Sequence, residues 1–111
     1  MASADQMYDE AIELKEAGKL EEALGKLNEL VEQHPDFALA HAGLSVCYGK
    51  LDRHDEAVKA AEKVCQLEPD DPFSYMAMSL ICQRAGRTTE AEQAMSEAMQ
   101  KQWAGTKTDE T

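Results

Sequence analysis

Apolar and small residues recur along the chain at steps of three and four residues, in six successive stretches. In the first stretch these positions include Met7, Ala11 and Leu14, and in the second they include Ala23 and Leu27. This spacing places apolar side chains on one face of a helix. The pattern predicts six amphipathic helices, over residues 4–17, 20–34, 38–51, 55–68, 72–85 and 89–103.

Residues that favour helix starts precede several of these stretches. Ser3 and Gln6 form the pattern of a capping box before the first helix, and Thr89 and Glu92 form the same pattern at the sixth. Asp71 precedes the fifth helix and is followed by a proline, which suits a first helical turn. The sequence therefore predicts capped starts for these three helices.

The chain repeats itself with a period of 34 residues. Small residues, turn residues and closing prolines all keep this spacing, at Ala11, Ser45 and Ser79; at Gly18, Asp52 and Gly86; at Ala23, Ala57 and Ala91; and at Pro35 and Pro69. Two antiparallel helices can approach closely only where small side chains meet, so each period predicts a helical pair joined by a tight turn. We expect one domain, 1–105, built of units 4–37, 38–71 and 72–105, with a short flexible tail at 106–111.

In these repeated residues the chain resembles the tetratricopeptide repeat family. That family has a 34-residue helix–turn–helix unit with small residues, a fixed alanine and a closing proline. The resemblance implies an all-α, right-handed α-solenoid of three repeats and six helices. The chain departs from the pattern at Glu10, where the later units have Leu44 and Met78, and at Trp103, where a third proline is expected.

The resemblance also implies where a partner would bind. In the family the first helix of each repeat contributes to a concave wall, and the wall positions predicted here to form a peptide-binding groove are Tyr8, Ile12, Leu39, Val46, Lys50, Phe73, Met76, Leu80 and Arg84. An apolar strip with a charged rim suits a partner helix or an extended peptide. The alternative is that these side chains pack against one another across a tight groove.

One subset of the family binds the C-terminal carboxylate of heat-shock chaperones through two Lys, two Asn and an Arg on this wall. The equivalent positions here are Tyr8, Ile12, Gly43, Phe73 and Ala77. Apart from the Tyr8 hydroxyl, none of these side chains can donate a hydrogen bond to a carboxylate. A chaperone-type carboxylate clamp is therefore not expected.

The net charge of the chain argues against some classes of binding partner. The 111 residues carry a net charge of −11, which repels the phosphates of nucleic acids and anionic membrane surfaces. Residues 1–37 carry −7, 38–71 carry −3, 72–105 are neutral and 106–111 carry −1. The acidic N-terminal unit would attract a basic partner, although simple solubility is an alternative explanation.

Candidate chemistry is sparse. Cys47, Cys65 and Cys82 fall at apolar helix positions and lack the close spacing of zinc ligands, so core thiols are expected and no metal or cofactor. An odd number of cysteines and a start without a signal-peptide pattern predict a cytoplasmic protein. No catalytic motif is present, which predicts a protein that is not an enzyme.

The methionines divide by their position in the repeat. Met7, Met78, Met95 and Met99 are predicted to lie in the core, and Met76 at the surface. Methionine side chains at a surface can adapt to differently shaped partners.

Two functional hypotheses remain open. The first is a non-enzymatic adaptor that holds a peptide or helix of a basic or amphipathic partner protein in the concave groove. The second is a structural self-assembly unit that uses the end of the last repeat. Glu92 is polar where Leu24 and Val58 are apolar in the earlier units, so we expect a mainly monomeric protein with weak association through Met95, Met99 or Trp103.

Overall fold

Six α-helices joined by short turns make up the protein in the computed structural model, which describes the backbone of residues 2–109 and the side chains of residues 2–104. The helices are α1 (Ala4–Glu16), α2 (Leu20–Gln33), α3 (Ala38–Lys50), α4 (His54–Leu67), α5 (Pro72–Arg84) and α6 (Thr88–Asp109). No strand occurs within the described residues. The prediction of an all-α solenoid of three helical pairs is confirmed.

Two of the predicted helix caps are present. The Ser3 hydroxyl accepts a hydrogen bond from the Gln6 backbone N–H at 3.1 Å, and the Gln6 side chain accepts one from the Ser3 N–H at 2.9 Å. At α5 the Asp71 carboxylate accepts from the Phe73 N–H at 3.0 Å. Each bond satisfies a backbone donor that the helix itself leaves unpaired.

The predicted capping box at Thr89 is wrong, because α6 begins one residue earlier, at Thr88, and Thr89 lies inside the helix. The second helices of the first two pairs begin directly after Lys19 and Arg53, neither of which makes a side-chain capping bond. Arg87 occupies the same position of the third unit. The repeat, rather than the local capping pattern, sets where α6 starts.

The turn within each pair is the same in all three units. Gly18 and Gly86 have φ of 82° and 77°, and Asp52 has φ of 60°. At the first turn the Lys19 N–H donates to the Leu14 carbonyl oxygen at 2.9 Å, and the equivalent bonds in the other units are 2.9 and 2.8 Å long. This is the Schellman arrangement, which needs a residue in the left-handed region just after the helix and therefore favours glycine there.

Small residues line the crossing of the two helices in each pair. All six predicted positions are buried, namely Ala11 with Ala23, Ser45 with Ala57, and Ser79 with Ala91. In the third pair the Ser79 hydroxyl donates to the Ala91 carbonyl oxygen at 2.8 Å, a direct bond between α5 and α6. The small side chains allow this approach of the two backbones.

The pairs stack so that the first helices form an inner layer and the second helices an outer one. Among the described helices, α1 contacts α3 and α3 contacts α5, whereas α2, α4 and α6 do not contact one another. Instead, α2 packs on α3 and α4 packs on α5, as where buried Gly43 of α3 leaves room for Leu27 of α2. Closely spaced inner helices and separated outer helices give a stack that is concave on the side of α1, α3 and α5.

The core consists of two adjoining clusters. The first surrounds Leu27, Leu30 and Cys47, and the second surrounds Val58 and Cys82. The half-buried ring of Tyr48 on α3 packs against both clusters. The three repeats are thus held together by a continuous set of apolar contacts.

The sixth helix departs from prediction at its end and on one face. It continues to Asp109 instead of ending at 103, so the predicted tail overlaps the helix, and its last two residues, 110–111, lie outside the described residues. Met95 and Met99 are exposed, not in the core as predicted. Met95 occupies the repeat position of Leu27, which is buried because a following inner helix covers it.

Candidate functional site

Three large apolar side chains stand exposed on the inner helices. Leu39 of α3 is 54% exposed, and Phe73 and Leu80 of α5 are 72% and 47% exposed. Phe73 and Leu80 are seven residues apart on one helix, a separation of two turns that places them on the same face. Burying such side chains is favourable by roughly 1.5–3 kcal/mol each, so leaving them in water suits a surface that contacts another molecule.

The other apolar residues predicted for the groove are half-buried. They are Tyr8, Ile12, Val46 and Met76. The ring of Tyr8 packs edge-to-face on the ring of Phe37, with centroids 5.9 Å apart, and belongs to the rim of the first core cluster. Burial, together with the charge of neighbouring Asp9, raises the pKa of the Tyr8 phenol. Tyr8 therefore helps to join α1 to the start of α3.

The predicted cationic residues Lys50 and Arg84 are both exposed, and each is the last residue of its inner helix. A cation in the last turn interacts favourably with the partial negative charge of the helix C-terminus. Both side chains remain free to reach solvent at one end of the wall. The exposed apolar residues and the cations thus lie on the same two inner helices, α3 and α5.

A second surface, which sequence reasoning missed, lies on the outer side of the stack. A cavity of about 630 Å³ opens between α4 and α6 above α5, and we call it the outer groove. Its lining residues are Glu62, Cys65, Gln66, Tyr75, Met78, Glu90, Gln93, Ala94, Ser96 and Glu97. Desolvation raises the pKa of the Cys65 thiol to about 11, with further contributions from Cys82, Glu62 and Asp71.

A smaller cavity of about 280 Å³ occupies the equivalent place one repeat earlier, against α4. Its lining residues are His41, Leu44, Tyr48, Glu56, Lys59, Ala60 and Lys63. Most of these positions lie 34 residues before a lining position of the outer groove, as His41 does before Tyr75 and Lys63 before Glu97. A comparison of equivalent positions in the second and third repeats could therefore have indicated both cavities from the sequence.

A third exposed apolar feature lies at the end of the stack. Met95, Met99 and Trp103 follow one another at steps of four residues along α6 and are 39%, 62% and 67% exposed. We call these three side chains the end strip. In the first two repeats the following inner helix covers the equivalent face, and within the described residues no helix covers it here.

The three thiols differ in their burial. Cys47 and Cys82 are buried as predicted, and Cys65 is half-buried. Within the described residues, no group of three or more His, Cys, Asp or Glu side chains is placed so that it could hold a metal ion. None of the helices described combines the length and the apolar character that crossing a membrane would require.

Solved structures share this fold at low sequence identity. The chain superimposes on MamA with a TM-score of 0.86 at 23% identity, covering 95% of this chain and 61% of that one. It superimposes on the type III secretion translocator chaperone SycD of Yersinia enterocolitica with a TM-score of 0.81 at 20% identity, covering 90% and 77%. The second TPR of Spaghetti (RPAP3), bound to the HSP90 peptide SRMEEVD, gives 0.78 at 20% identity, covering 86% and 89%.

Sequence comparison gives the family. The chain is 31% identical over 93 residues to human tetratricopeptide repeat protein 13, and the match covers 78% of this chain and 11% of that protein. The chain thus spans about a tenth of the length of this relative. The model of the tetratricopeptide repeat matches residues 8–72, more than half of the chain. Together with the three stacked helical pairs, this shows that the chain belongs to the tetratricopeptide repeat family.

Proposed function

We propose that the protein is a non-enzymatic adaptor that binds a peptide or helix of a partner protein on its concave wall. The observation that carries this proposal is the exposure of Leu39, Phe73 and Leu80 together on the inner helices. An amphipathic helix or an extended segment would bury these side chains, and the favourable transfer from water would supply the affinity. The solved relatives support this class of function, because one is a chaperone and another holds a peptide.

The wall is suited to an apolar segment rather than to a C-terminal carboxylate. Gly43 is buried against Leu27, and Ala77 presents a methyl group, so neither can donate a side-chain hydrogen bond. The exposed cations Lys50 and Arg84 lie at the ends of their helices, where they would orient a bound segment through its acidic residues. We therefore expect specificity from the apolar pattern of the partner, with charge setting its direction.

A selection experiment tests this proposal. A library of displayed helical peptides is selected on the wild-type protein, and the selected peptides are then titrated into the double variant Phe73→Ala/Leu80→Ala. We expect binding to weaken at least tenfold, while far-UV circular dichroism shows unchanged helix content. The matched control is Met99→Ala/Trp103→Ala, which removes a similar exposed apolar area from the end strip.

Either of two outcomes would contradict the proposal. One is unfolding of Phe73→Ala/Leu80→Ala, which would show that the two side chains are needed for packing. The other is equal binding by the wall variant and the wild type, which would place the selected peptides elsewhere. Chemical-shift changes in labelled protein would then locate them.

The alternative is a structural self-assembly unit, and the end strip favours it. Met95, Met99 and Trp103 expose apolar side chains where the earlier repeats carry another helix. A second copy could cover this face by helix–helix packing. Under this alternative Met99→Ala/Trp103→Ala lowers the mass measured at high protein concentration, and Phe73→Ala/Leu80→Ala does not.

A further inference from the structure

The outer groove combines an apolar floor with an acidic rim. Met78 of α5 lines its floor beside Ala94 of α6, and Glu62 of α4 and Glu97 of α6 stand exposed on its opposite sides. Among the described residues, neither of these two glutamates has a cation within 4 Å, whereas Glu90 is paired with Arg87 at 3.6 Å. Two such carboxylates beside apolar surface attract a ligand that is itself both cationic and apolar.

The equivalent groove one repeat earlier has the opposite charge on the same wall. There α4 contributes Lys59 and Lys63, at the positions that Gln93 and Glu97 occupy on α6. Because the two grooves share the repeat geometry, the difference in charge follows from these substitutions and not from a difference in fold. The outer groove is therefore distinguished from its neighbour by a preference for positive charge.

The aromatic ring in the outer groove is already in contact with a cation of this chain. The Lys101 ammonium lies 6.0 Å from the centroid of the Tyr75 ring, so the face of the ring already has a cation near it. Desolvation, with Cys65 and the negative charge of Glu97 among the further causes, raises the pKa of the Tyr75 phenol. Because Lys101 already lies at this ring, a cation that enters the groove would be attracted by the carboxylates of Glu62 and Glu97 and not by the ring.

We propose that the outer groove is a second docking surface, which receives a basic amphipathic helix of a partner protein. Its apolar side chains would pack on Met78 and Ala94, and a Lys or Arg side chain would lie between Glu62 and Glu97. A second copy of this chain is a poor occupant, because its net charge of −11 would be repelled by the same carboxylates. This surface faces away from the concave wall, so binding here neither requires nor replaces binding there.

The probe is a synthetic peptide of about 18 residues, built of leucine and lysine with helical period, long enough to form a helix when bound. An isomer of the same composition with the period scrambled serves as the control peptide. Both are titrated into the full chain at about 0.15 M salt, where exposed charges more than ~8 Å apart are largely screened. We expect the periodic peptide to bind more tightly than its isomer.

The variants separate the groove from the general acidity of the protein. Glu62→Gln/Glu97→Gln is expected to weaken binding of the periodic peptide about tenfold. Glu16→Gln/Glu32→Gln removes the same charge from exposed positions of α1 and α2 and is expected to change binding less than twofold. Gln93→Lys introduces the lysine found at the equivalent position of the neighbouring groove. This variant is expected to weaken binding of the periodic peptide although all glutamates are retained.

Three results would overturn the proposal. Equal weakening by the two glutamine pairs would show attraction to net charge alone. Chemical-shift changes at Leu39 and Phe73 instead of Ala94 would show that the peptide lies on the concave wall, which would leave the adaptor proposal intact. A peptide-free dimer that Glu62→Gln/Glu97→Gln abolishes would assign the groove to a second copy.

Discussion

Close packing at single residues decides how far the two helices of a pair can approach. Ala57 is fully buried at the crossing of α3 and α4, opposite the small Ser45. Ala57→Leu forces a branched side chain into this contact, and overpacking of this kind costs typically ~1–3 kcal/mol. We expect the thermal midpoint measured by circular dichroism to fall by about 4 °C or more.

The control for this change is Ala77→Leu, the same substitution at an exposed position of α5. Its melting temperature should stay close to that of the wild type, because leucine and alanine have similar helix propensity and no neighbour is displaced. If both variants melt like the wild type, Ala57 does not lie at a close approach of helices.

The surroundings of a cysteine side chain also determine the pKa of its thiol. Cys65 is half-buried in the outer groove, and desolvation raises its pKa to about 11 from an ordinary value of 9.0. Thiolate is the form that reacts with iodoacetamide, so alkylation of Cys65 should be slow at pH 8 and should rise toward a midpoint near pH 11. Peptide mass spectrometry after timed labelling measures this rate for each cysteine.

Unfolded protein in urea provides the reference for the thiol, because there Cys65 should alkylate with a midpoint near its ordinary pKa. A folded-state midpoint near pH 9 would show that the thiol is solvated in the native protein. The same experiment is expected to leave Cys47 and Cys82 unlabelled at pH 8, since both are fully buried.

At the scale of helices, equivalent serines have different roles. The Ser79 hydroxyl bonds the Ala91 carbonyl oxygen across α5 and α6, whereas the Ser45 hydroxyl bonds the Ala42 carbonyl oxygen within α3. The first unit has Ala11 at this position and packs without a hydroxyl. Ser79→Ala should therefore cost about 1 kcal/mol of unfolding free energy, and Ser45→Ala should cost a few tenths at most. Urea titration measures the unfolding free energy of the two variants. Equal losses would contradict the inference that Ser79 stabilises the contact between the two helices.

The order of the helices and their turns could be predicted from sequence because each helix boundary occurs three times, once in every 34-residue repeat. Gly18 and Gly86 identify the turn even where Asp52 alone would not. The end of α6 could not be predicted in this way, since the proline that closes the other units is replaced by Trp103 and the helix continues through Gly105. The capping pattern of Thr89 and Glu92 predicts the start of α6 one residue too late, because the repeat and not the local pattern sets that boundary.

At the scale of the molecule, the placement of surfaces depends on how the helical pairs stack. The sequence identified the inner helices and their exposed residues, including Leu39, Phe73 and Leu80, through the family resemblance. The outer groove was missed because its walls belong to α4 and α6, which do not touch, and only the spacing of whole repeats brings Glu62 and Glu97 to opposite sides of one cavity. Periodicity on one helix carries no information about such a gap.

The open end of the stack gives a prediction for the whole molecule. Leu24 and Val58 are buried beneath the next inner helix, and Glu92, at the same repeat position, is exposed beside the end strip. A charge at this position interrupts the apolar surface, because covering an unpaired carboxylate is unfavourable. We therefore expect the protein to be mainly monomeric at micromolar concentration, with the end strip supporting weak association.

Glu92→Leu should join the interrupted apolar surface and shift the protein toward dimers or larger species, since larger exposed apolar patches promote association. Static light scattering across a dilution series measures the change, with Glu32→Leu on the exposed face of α2 as a control for leucine at the surface. Met99→Ala in the Glu92→Leu background should restore the monomer if the end strip is the contact. A stable wild-type dimer at low micromolar concentration would contradict the interruption by Glu92 and would favour self-assembly as the function of this end.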